Sequence, residues 1–423
     1  MKPEDETRIQ RAYKEAEARY AELGVDTEEA LRLLSNVHLS FPCWQLDDVN
    51  GFERTGSHNG GGTVVTGSYP GKARNATEMR LDAEQVFAAV PGSHRLNIHA
   101  IYLEAKEDVP RDQIAPEHFK GWIEWAQQKK LGLDFNPTFF DHPKAAEGFT
   151  LSHYDDAKRE FWIRHGIASR KIAQAMGQAT GSPCVVNTWI PDGFKDAPAN
   201  RKAFRARLHQ SLDQMFAEPL NPLYAKDAVE SKLFGIGAES CTVGSHEFYL
   251  SYALLKHKML CLDMGHFHPT EQIGDKISAI LEFTDELLLH VSRPVRWDSD
   301  HVVIQDGEME LLAAEVVRGG FLPRVNLALD FFDGTINRVA ALVIGGRAVL
   351  RSFCRAALEP AAELSRREQN GEYTWRLAMQ EELKAMPWQA VWDWYCLKNG
   401  APVGSSWLKP VLAYESRILE QRK

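Results

Sequence analysis

The chain carries no excess of positive charge. Its 49 Lys and Arg face 58 Asp and Glu, for a formal net charge of −9 at pH 7. No segment gathers the basic cluster that neutralising phosphates requires, so nucleic acid is not an expected partner. A membrane-spanning apolar run is also missing: the greasy stretch at Val339–Gly346 is fenced by Arg338 and Arg347. The opening Met1-Lys2-Pro3-Glu4-Asp5-Glu6 is acidic and lacks the apolar stretch of a secretory leader. The six cysteines, Cys43, Cys184, Cys241, Cys261, Cys354 and Cys396, form no CxxC pair and no regular framework. That pattern argues against a disulfide scaffold and predicts buried free thiols in a reducing compartment. Together these absences predict a cytoplasmic protein with no nucleic-acid and no membrane partner. What remains is ordinary globular composition, 44% hydrophobic and 25% charged, enough for a sizeable core.

Up to about Val37 the pattern predicts two amphipathic helices, with Leu23-Gly24 as a stop and Asp26 as an N-cap. Beyond them, short apolar runs recur at Leu39–Trp44, Asn97–Leu103, Leu131–Asn136, Cys184–Trp189, Asp227–Leu233, Met259–Asp263, Leu287–Val291 and Val325–Phe331. Charged stretches with helical spacing, such as Glu117–Lys130 and Asp155–Met176, separate most of them. Eight buried strands alternating with helices predict parallel βα units and an α/β fold, a (β/α)8 barrel over residues 1–337. Residues 338–423, rich in Ala, Leu, Glu and Arg and carrying Trp375, Trp388, Trp392 and Trp394, are expected to form a C-terminal helical extension used in oligomerisation. Gly51–Gly71 holds seven glycines and few large apolar residues, which predicts a mobile loop after the first strand. A phosphate-binding loop is excluded there, because Gly71-Lys72-Ala73 lacks the Ser or Thr and the glycine spacing is wrong.

The chemistry gathers at the carboxyl ends of the last four runs. These ends carry Glu230 and Lys232; Asp263, His266 and His268; His290, Asp298, Asp300 and His301; then Asp330 and Asp333. Charges that end apolar runs are costly unless paired, and barrel strand ends point toward one central site. Read singly, a strand-end Asp is usually an N-cap and a strand-end His a hydrogen-bonded core residue; Asp333, His268 and His301 are left to those roles. The others number too many for one ion. Glu230, Asp263, His290 and Asp330 can form one ligand set and His266, Asp298 and Asp300 a second, with Asp263 shared. Oxygen and imidazole donors suit Mn²⁺, Co²⁺, Zn²⁺ or Mg²⁺. Asp298 and Asp300 face one way if their segment stays extended. Trp44, His99 and Trp189 sit at matching positions on earlier strands, where indole faces and an imidazole suit a sugar.

At this point the chain resembles the L-rhamnose isomerase family. The resemblance runs from Cys43-Trp44-Gln45 through Asn97–Glu104 to the C-terminal helices, and is most specific in Val229–Gly237, Asp263–Thr270 and His290–His301. It implies a (β/α)8 barrel, a homotetramer, manganese, and interconversion of L-rhamnose and L-rhamnulose. It also implies a structural site at Glu230, Asp263, His290 and Asp330, for Mn²⁺ or Zn²⁺, and a catalytic Mn²⁺ site at His266, Asp298 and Asp300. Lys232 lies nearby and is expected to act with Asp300 in catalysis, as a fixed charge toward a developing oxyanion. With no carboxylate left over to act on carbon, a hydride shift is expected rather than an ene-diol. The competing readings are an isomerase of another aldose, a metal-dependent phosphodiesterase, for which the cationic channel is missing, and a sugar-binding module without turnover.

Overall fold

A computed structural model describes residues 3–53, 65–233, 239–295 and 297–422. The centre of the glycine-rich stretch, 54–64, lies outside them, and so does the expectation of mobility that rests on it. Eight parallel strands close a barrel: β1 (Leu39–Pro42), β2 (Arg95–His99), β3 (Gly132–Asn136), β4 (Cys184–Thr188), β5 (Ala225–Glu230), β6 (Met259–Asp263), β7 (Leu287–Val291) and β8 (Val325–Leu329). Each strand pairs with the next in sequence, and β8 returns to β1. The predicted (β/α)8 architecture is therefore present.

Alternation sorts the strand side chains onto two faces. On β7, Leu287, Leu289 and Val291 face the helices in the main core. Leu288 joins Val185, Ala228, Met259, Cys261 and Ala328 in a small cluster inside the barrel. The inward ladders of the last four strands read Lys226-Ala228-Glu230, Met259-Cys261-Asp263, Leu288-His290 and Asn326-Ala328-Asp330. Small or apolar residues fill the middle, and an acid or imidazole tops each ladder. Parallel register then sets these tops side by side, with Asp263 opposite His290 and Ala328 opposite His290.

The amino-terminal pair of helices, Pro3–Ala21 and Thr27–Ser35, forms as expected. Gly24 takes the left-handed stop at φ 75°, and the Asp26 carboxylate accepts from the amides of Glu28 and Glu29 at 2.8 and 3.2 Å. β2 is shorter than its apolar pattern, ending at His99 rather than Leu103. The chain turns at Ala100–Tyr102 so that the Tyr102 hydroxyl donates to Asp47 at 2.6 Å. The helix Arg338–Ala357 is buried on most faces and packs on the helices Gly307–Arg318, Thr27–Ser35 and Ala76–Ala89. It is the outer-ring helix of β8, so the expected boundary at 337/338 divides the last βα unit. The later helices lie beyond the ring, and Trp388–Lys398 packs against Pro3–Ala21, with Trp394 stacked on Tyr13 at 5.1 Å. All six cysteines are free and buried, and no helix among the described residues is long and apolar enough to cross a membrane.

Just after β1, Asp48 and Val49 both adopt left-handed backbone, at φ 60° and 59°. A β-branched residue there costs roughly 1–3 kcal/mol and needs its surroundings to hold it. The Arg338 guanidinium does so, donating to both Asp48 oxygens at 2.7 Å, with Lys72 2.9 Å from the same carboxylate. Burial opposes the Asp48 charge, yet Arg338 and Lys72 hold its pKa below the usual value. Replacing Arg338 with Met leaves a buried carboxylate with one partner and is expected to lower unfolding free energy by about 3 kcal/mol. Urea denaturation measures this, and a loss below about 1 kcal/mol, the scale of an exposed ion pair, would mean the clamp is idle.

Candidate metal centre

At the carboxyl end of the barrel lies a cavity of about 140 Å³. Its wall divides cleanly by sequence. Trp44, Val49, His99, Asn136, Phe140 and Trp189 come from β1–β4 and their loops; Glu230, His266, His290, Asp298, Asp300 and Asp330 come from β5–β8 and theirs. The four ladder tops meet: donor atoms of Glu230, Asp263, His290 and Asp330 all lie within 4.8 Å of one another. His290 Nδ1 is 3.0 Å from Asp330 Oδ2, 3.2 Å from Glu230 Oε1 and 3.5 Å from Asp263 Oδ2. A second group, Asp263, His266 and Asp298, meets the same limit, with His266 Nε2 3.1 Å from Asp298 Oδ2. Asp263 is common to both, as in the shared arrangement read from the sequence.

Asp298 and Asp300 ride on a two-stranded antiparallel ribbon, Arg293–Val295 with Trp297–His301, whose register shifts between Arg293 and Val295. Asp300 is not extended as expected: it sits at φ 41°. The bend still leaves it beside Asp298, with which its carboxyl shares a hydrogen bond. Asp300 lines the cavity but stands outside the tighter group of three. Lys232 lies elsewhere. β5 ends at Glu230, and the Lys232 ammonium donates to the Pro191 carbonyl at 2.6 Å and to Glu239 at 2.5 Å. It is not among the residues lining the cavity. His268 is exposed and His301 half-buried, each ring bonding a nearby hydroxyl, of Thr270 and Ser299. Asp333 caps a turn through Thr335 instead of a helix; Asn337 caps the helix that follows.

Without counter-cations this nest is frustrated. Burial pushes Asp263 up, and burial followed by the carboxylates of Asp298, Asp330 and Asp263 pushes Asp300 well up. Burial works against charge on His266 and His290, but Asp263 and Asp298 outweigh it at His266, and Cys261 followed by Glu230 and Asp330 at His290, raising both imidazoles well above their ordinary pKa. Even so, both ring nitrogens of His290, His266 Nδ1 and Asp298 Oδ1 are buried without a well-aligned hydrogen bond. Orphaned buried donors and acceptors cost roughly 1–3 kcal/mol each. Divalent cations held by these oxygens and nitrogens relieve both the charge and the orphaned atoms, so the donor set fits metal ions.

Two features escaped the reading of the sequence. Cys261 Sγ lies within 4.8 Å of the donors of Glu230 and His290; alternation two residues before Asp263 marks it as inward. Burial raises its thiol pKa far above the usual value. Asn187 donates to Glu230 Oε2, and Asn136 donates to Asn97 at 2.9 Å. These amides sit at strand positions that look like core, and nothing local flags them. On the opposite wall, Trp44 meets the His99 ring edge-on at 4.6 Å and Trp189 meets Phe140 at 5.8 Å.

A closed parallel barrel with acids and imidazoles ringed at its carboxyl end, facing an aromatic wall, defines a (β/α)8 enzyme with a small polar-substrate site. The chain belongs to the L-rhamnose isomerase (RhaA) family, whose model matches residues 7–422, and it is an isomerase. It is 56% identical over 416 residues to the L-rhamnose isomerases of Enterobacter sp. (strain 638) and Escherichia coli (strain K12), covering 98% of this chain and 99% of each relative. Among solved structures, a D-tagatose 3-epimerase-like protein matches 62% of this chain and 89% of its own at 12% identity and TM-score 0.44. The barrel assignment rests on the strand order instead.

Proposed function

We propose that the protein interconverts L-rhamnose and L-rhamnulose with two divalent ions, the first step of rhamnose catabolism. The observation that carries the metal requirement is the meeting of Glu230, Asp263, His290 and Asp330, next to Asp263, His266 and Asp298, with several of their buried atoms lacking partners. Glu230, Asp263, His290 and Asp330 would hold a structural ion, Mn²⁺ or Zn²⁺. His266, Asp298 and Asp300 would hold the catalytic ion, Mn²⁺. When bound, the ions supply Lewis acidity toward adjacent sugar oxygens.

The chain's own groups do the rest. Trp44 and Trp189 offer faces to the sugar's C–H surface and keep water from the reacting carbons. His99 shares a hydrogen bond between Nδ1 and the Thr138 hydroxyl at 3.0 Å, which leaves Nε2 for a sugar hydroxyl. Burial, and then Arg111, lowers its pKa to about 3, so the ring is neutral and too weak a base to take a proton from carbon. The acids lining the cavity, Glu230, Asp298, Asp300 and Asp330, are all committed as ligands. Hydrogen therefore passes between C1 and C2 as hydride, and Asp300 relays only the proton between O1 and O2. Lys232, taken up by the Pro191 carbonyl and Glu239, is not a neighbour of the substrate on this reading.

Chelated enzyme re-supplied with single metals, assayed for ketose across a panel of aldoses, tests this reading. Turnover should vanish with chelator, return best with Mn²⁺ and be greatest on L-rhamnose. Undiminished activity in chelator would end the metal reading, and a better aldose would move the substrate. Replacing His99 with Leu should raise KM about tenfold, the worth of one hydrogen bond, with metal content unchanged. Equal KM in that variant would remove His99 from the sugar site. The free buried thiols suit a cytoplasmic enzyme. We place the homotetramer's contacts on the later C-terminal helices, where Tyr373, Leu377 and Leu412 are exposed; sedimentation velocity reads the state.

A further inference from the structure

Residues 137–142, which follow β3, carry Phe140 into the cavity wall without belonging to any strand or helix. Buried carbonyls outside regular structure need donors from elsewhere, and here one side chain supplies them. The Arg111 guanidinium, itself buried, donates to the carbonyls of Thr138 at 2.8 Å, Phe140 at 2.5 Å and Asp141 at 3.0 Å. Asp141 takes left-handed backbone at φ 51°, and the same guanidinium spans that bend. The remaining N–H groups go to Glu53: Nε reaches its two oxygens at 3.0 and 3.2 Å, and Nη2 one of them at 3.0 Å. All five N–H donors of the fork are thereby used. A lysine ammonium, with three donors on a tetrahedral head, cannot reproduce this planar arrangement.

Arg111 is held from behind as well. His165, on the helix Asp156–Thr180, donates through Nδ1 to the Arg111 carbonyl at 2.8 Å, and Arg164 donates to the neighbouring Asp112 at 2.8 and 3.0 Å. The guanidinium is therefore a fixed tool, and what it grips faces the site. Phe140 is the middle of an edge-on row, 5.7 Å from the His99 ring and 5.8 Å from that of Trp189. The Thr138 hydroxyl, two residues back, pairs with His99 Nδ1. Arg111 is not itself among the residues lining the cavity, so any effect it has on a bound sugar passes through that row. The groups proposed to hold metal stand on β5–β8 and their loops, outside this grip.

On the reading of this cavity as the sugar site, we propose that Arg111, neutralised by Glu53, is a positioning residue for sugar binding that acts mainly by fixing Phe140 against the substrate. Loops after β1, β2 and β3 meet at one guanidinium, which sets the recognition wall as a unit. Arg111 then governs how well the sugar is held, and the hydrogen transfer proceeds at its usual rate once the sugar is bound. Loss of such binding appears in KM and not in kcat.

Steady-state kinetics of the manganese-loaded enzyme test this, run on whichever aldose the wild type turns over best, so that a substrate other than L-rhamnose leaves the test intact. Arg111→Lys keeps the charge beside Glu53 and loses the fork; KM should rise at least about fivefold, with kcat within about threefold and metal content unchanged. Phe140→Ala should by itself raise KM to a similar extent. In the double variant, Arg111→Lys should raise the KM of Phe140→Ala by less than half the factor it shows alone, because contacts that act through one another are not additive. Glu53→Gln leaves Arg111 in place without its counter-charge; it should raise KM at least about threefold, and it replaces Arg111→Lys throughout if the lysine variant does not fold. A KM moved by Phe140→Ala and unmoved by Arg111→Lys overturns the role of Arg111 alone, and so does an equal factor in the two backgrounds. A KM unmoved by Phe140→Ala overturns the sugar wall and the role of Arg111 with it.

Discussion

With manganese saturating, the Asp300→Asn enzyme is expected to turn over L-rhamnose at less than about a hundredth of the wild-type kcat, a loss at or beyond the 10–100-fold seen when residues supporting a ligand are changed. The choice of substitution follows from the backbone. Asp300 sits at φ 41°, a conformation Asn adopts as readily as Asp, so the ribbon keeps its bend. The choice also follows from protonation. In the metal-free protein, burial and then Asp298 push the Asp300 carboxyl well above its ordinary range, and a protonated carboxyl has nearly the shape of an amide. The metal-free variant should therefore melt within about 2 °C of metal-free wild type, a difference under about 1 kcal/mol. Loss of turnover with an unchanged apo melt separates a ligand from a structural residue. A variant retaining more than about a tenth of kcat at saturating metal removes Asp300 from the ligand set.

Chelation should lower the melting temperature more at pH 8 than at pH 5.5, with the two losses differing by at least about 3 °C. The sign comes from four groups whose pKa values are raised in the metal-free fold: Asp263, Asp300, His266 and His290. A raised group binds its proton in the folded state over a range where the unfolded chain has lost it. Its stabilisation is whole below the unfolded pKa, about 4 for the acids and 6.5 for the imidazoles, and is lost as pH rises through the folded value. Moving from pH 5.5 to 8 therefore weakens the metal-free protein. Protons also compete with metal for the same atoms, so the ions hold less tightly at the acid pH, and their contribution to stability falls with affinity. Both effects point one way. Lys232 adds nothing to this balance, since Glu239 already answers its charge. Equal losses at the two pH values, or a larger one in acid, contradict a nest of ligands that protons and metal contest.

How much of this was visible in the sequence varies with distance along the chain. Met259–Asp263 and Leu287–Val291 match their apolar runs residue for residue, because both are bounded by charge and buried on two faces. The convergence of Glu230, Asp263, His290 and Asp330 was equally visible: period-two alternation and parallel register together leave those ladder tops no other direction. Where the ladder stops, so does the inference. Lys232 lies two residues past the end of β5, beyond the reach of alternation, and a partner seven residues away takes it. The bend at Asp300 belongs to the ribbon's pairing with Arg293–Val295, a contact no local pattern encodes. The helix Arg338–Ala357 is greasy on most faces, which reads as a tail from composition and as outer-ring packing only once its neighbours are known.

The division of the cavity wall between β1–β4 and β5–β8 has a consequence for changing the enzyme's preferences in the laboratory. Every acid and imidazole proposed to hold metal lies after residue 229, and the aromatic and amide surface proposed to meet the sugar lies almost wholly before residue 190. On the proposed function, recognition and chemistry occupy separate tracts of the gene. Mutant libraries drawn over Trp44, Val49, His99, Asn136, Phe140 and Trp189 can explore other aldoses while the ions stay bound. Chimeras that join the first half of one relative to the second half of another must conserve strand register at both seams, β4–β5, where Asn187 crosses to reach Glu230, and β8–β1, beside which Arg338 clamps Asp48.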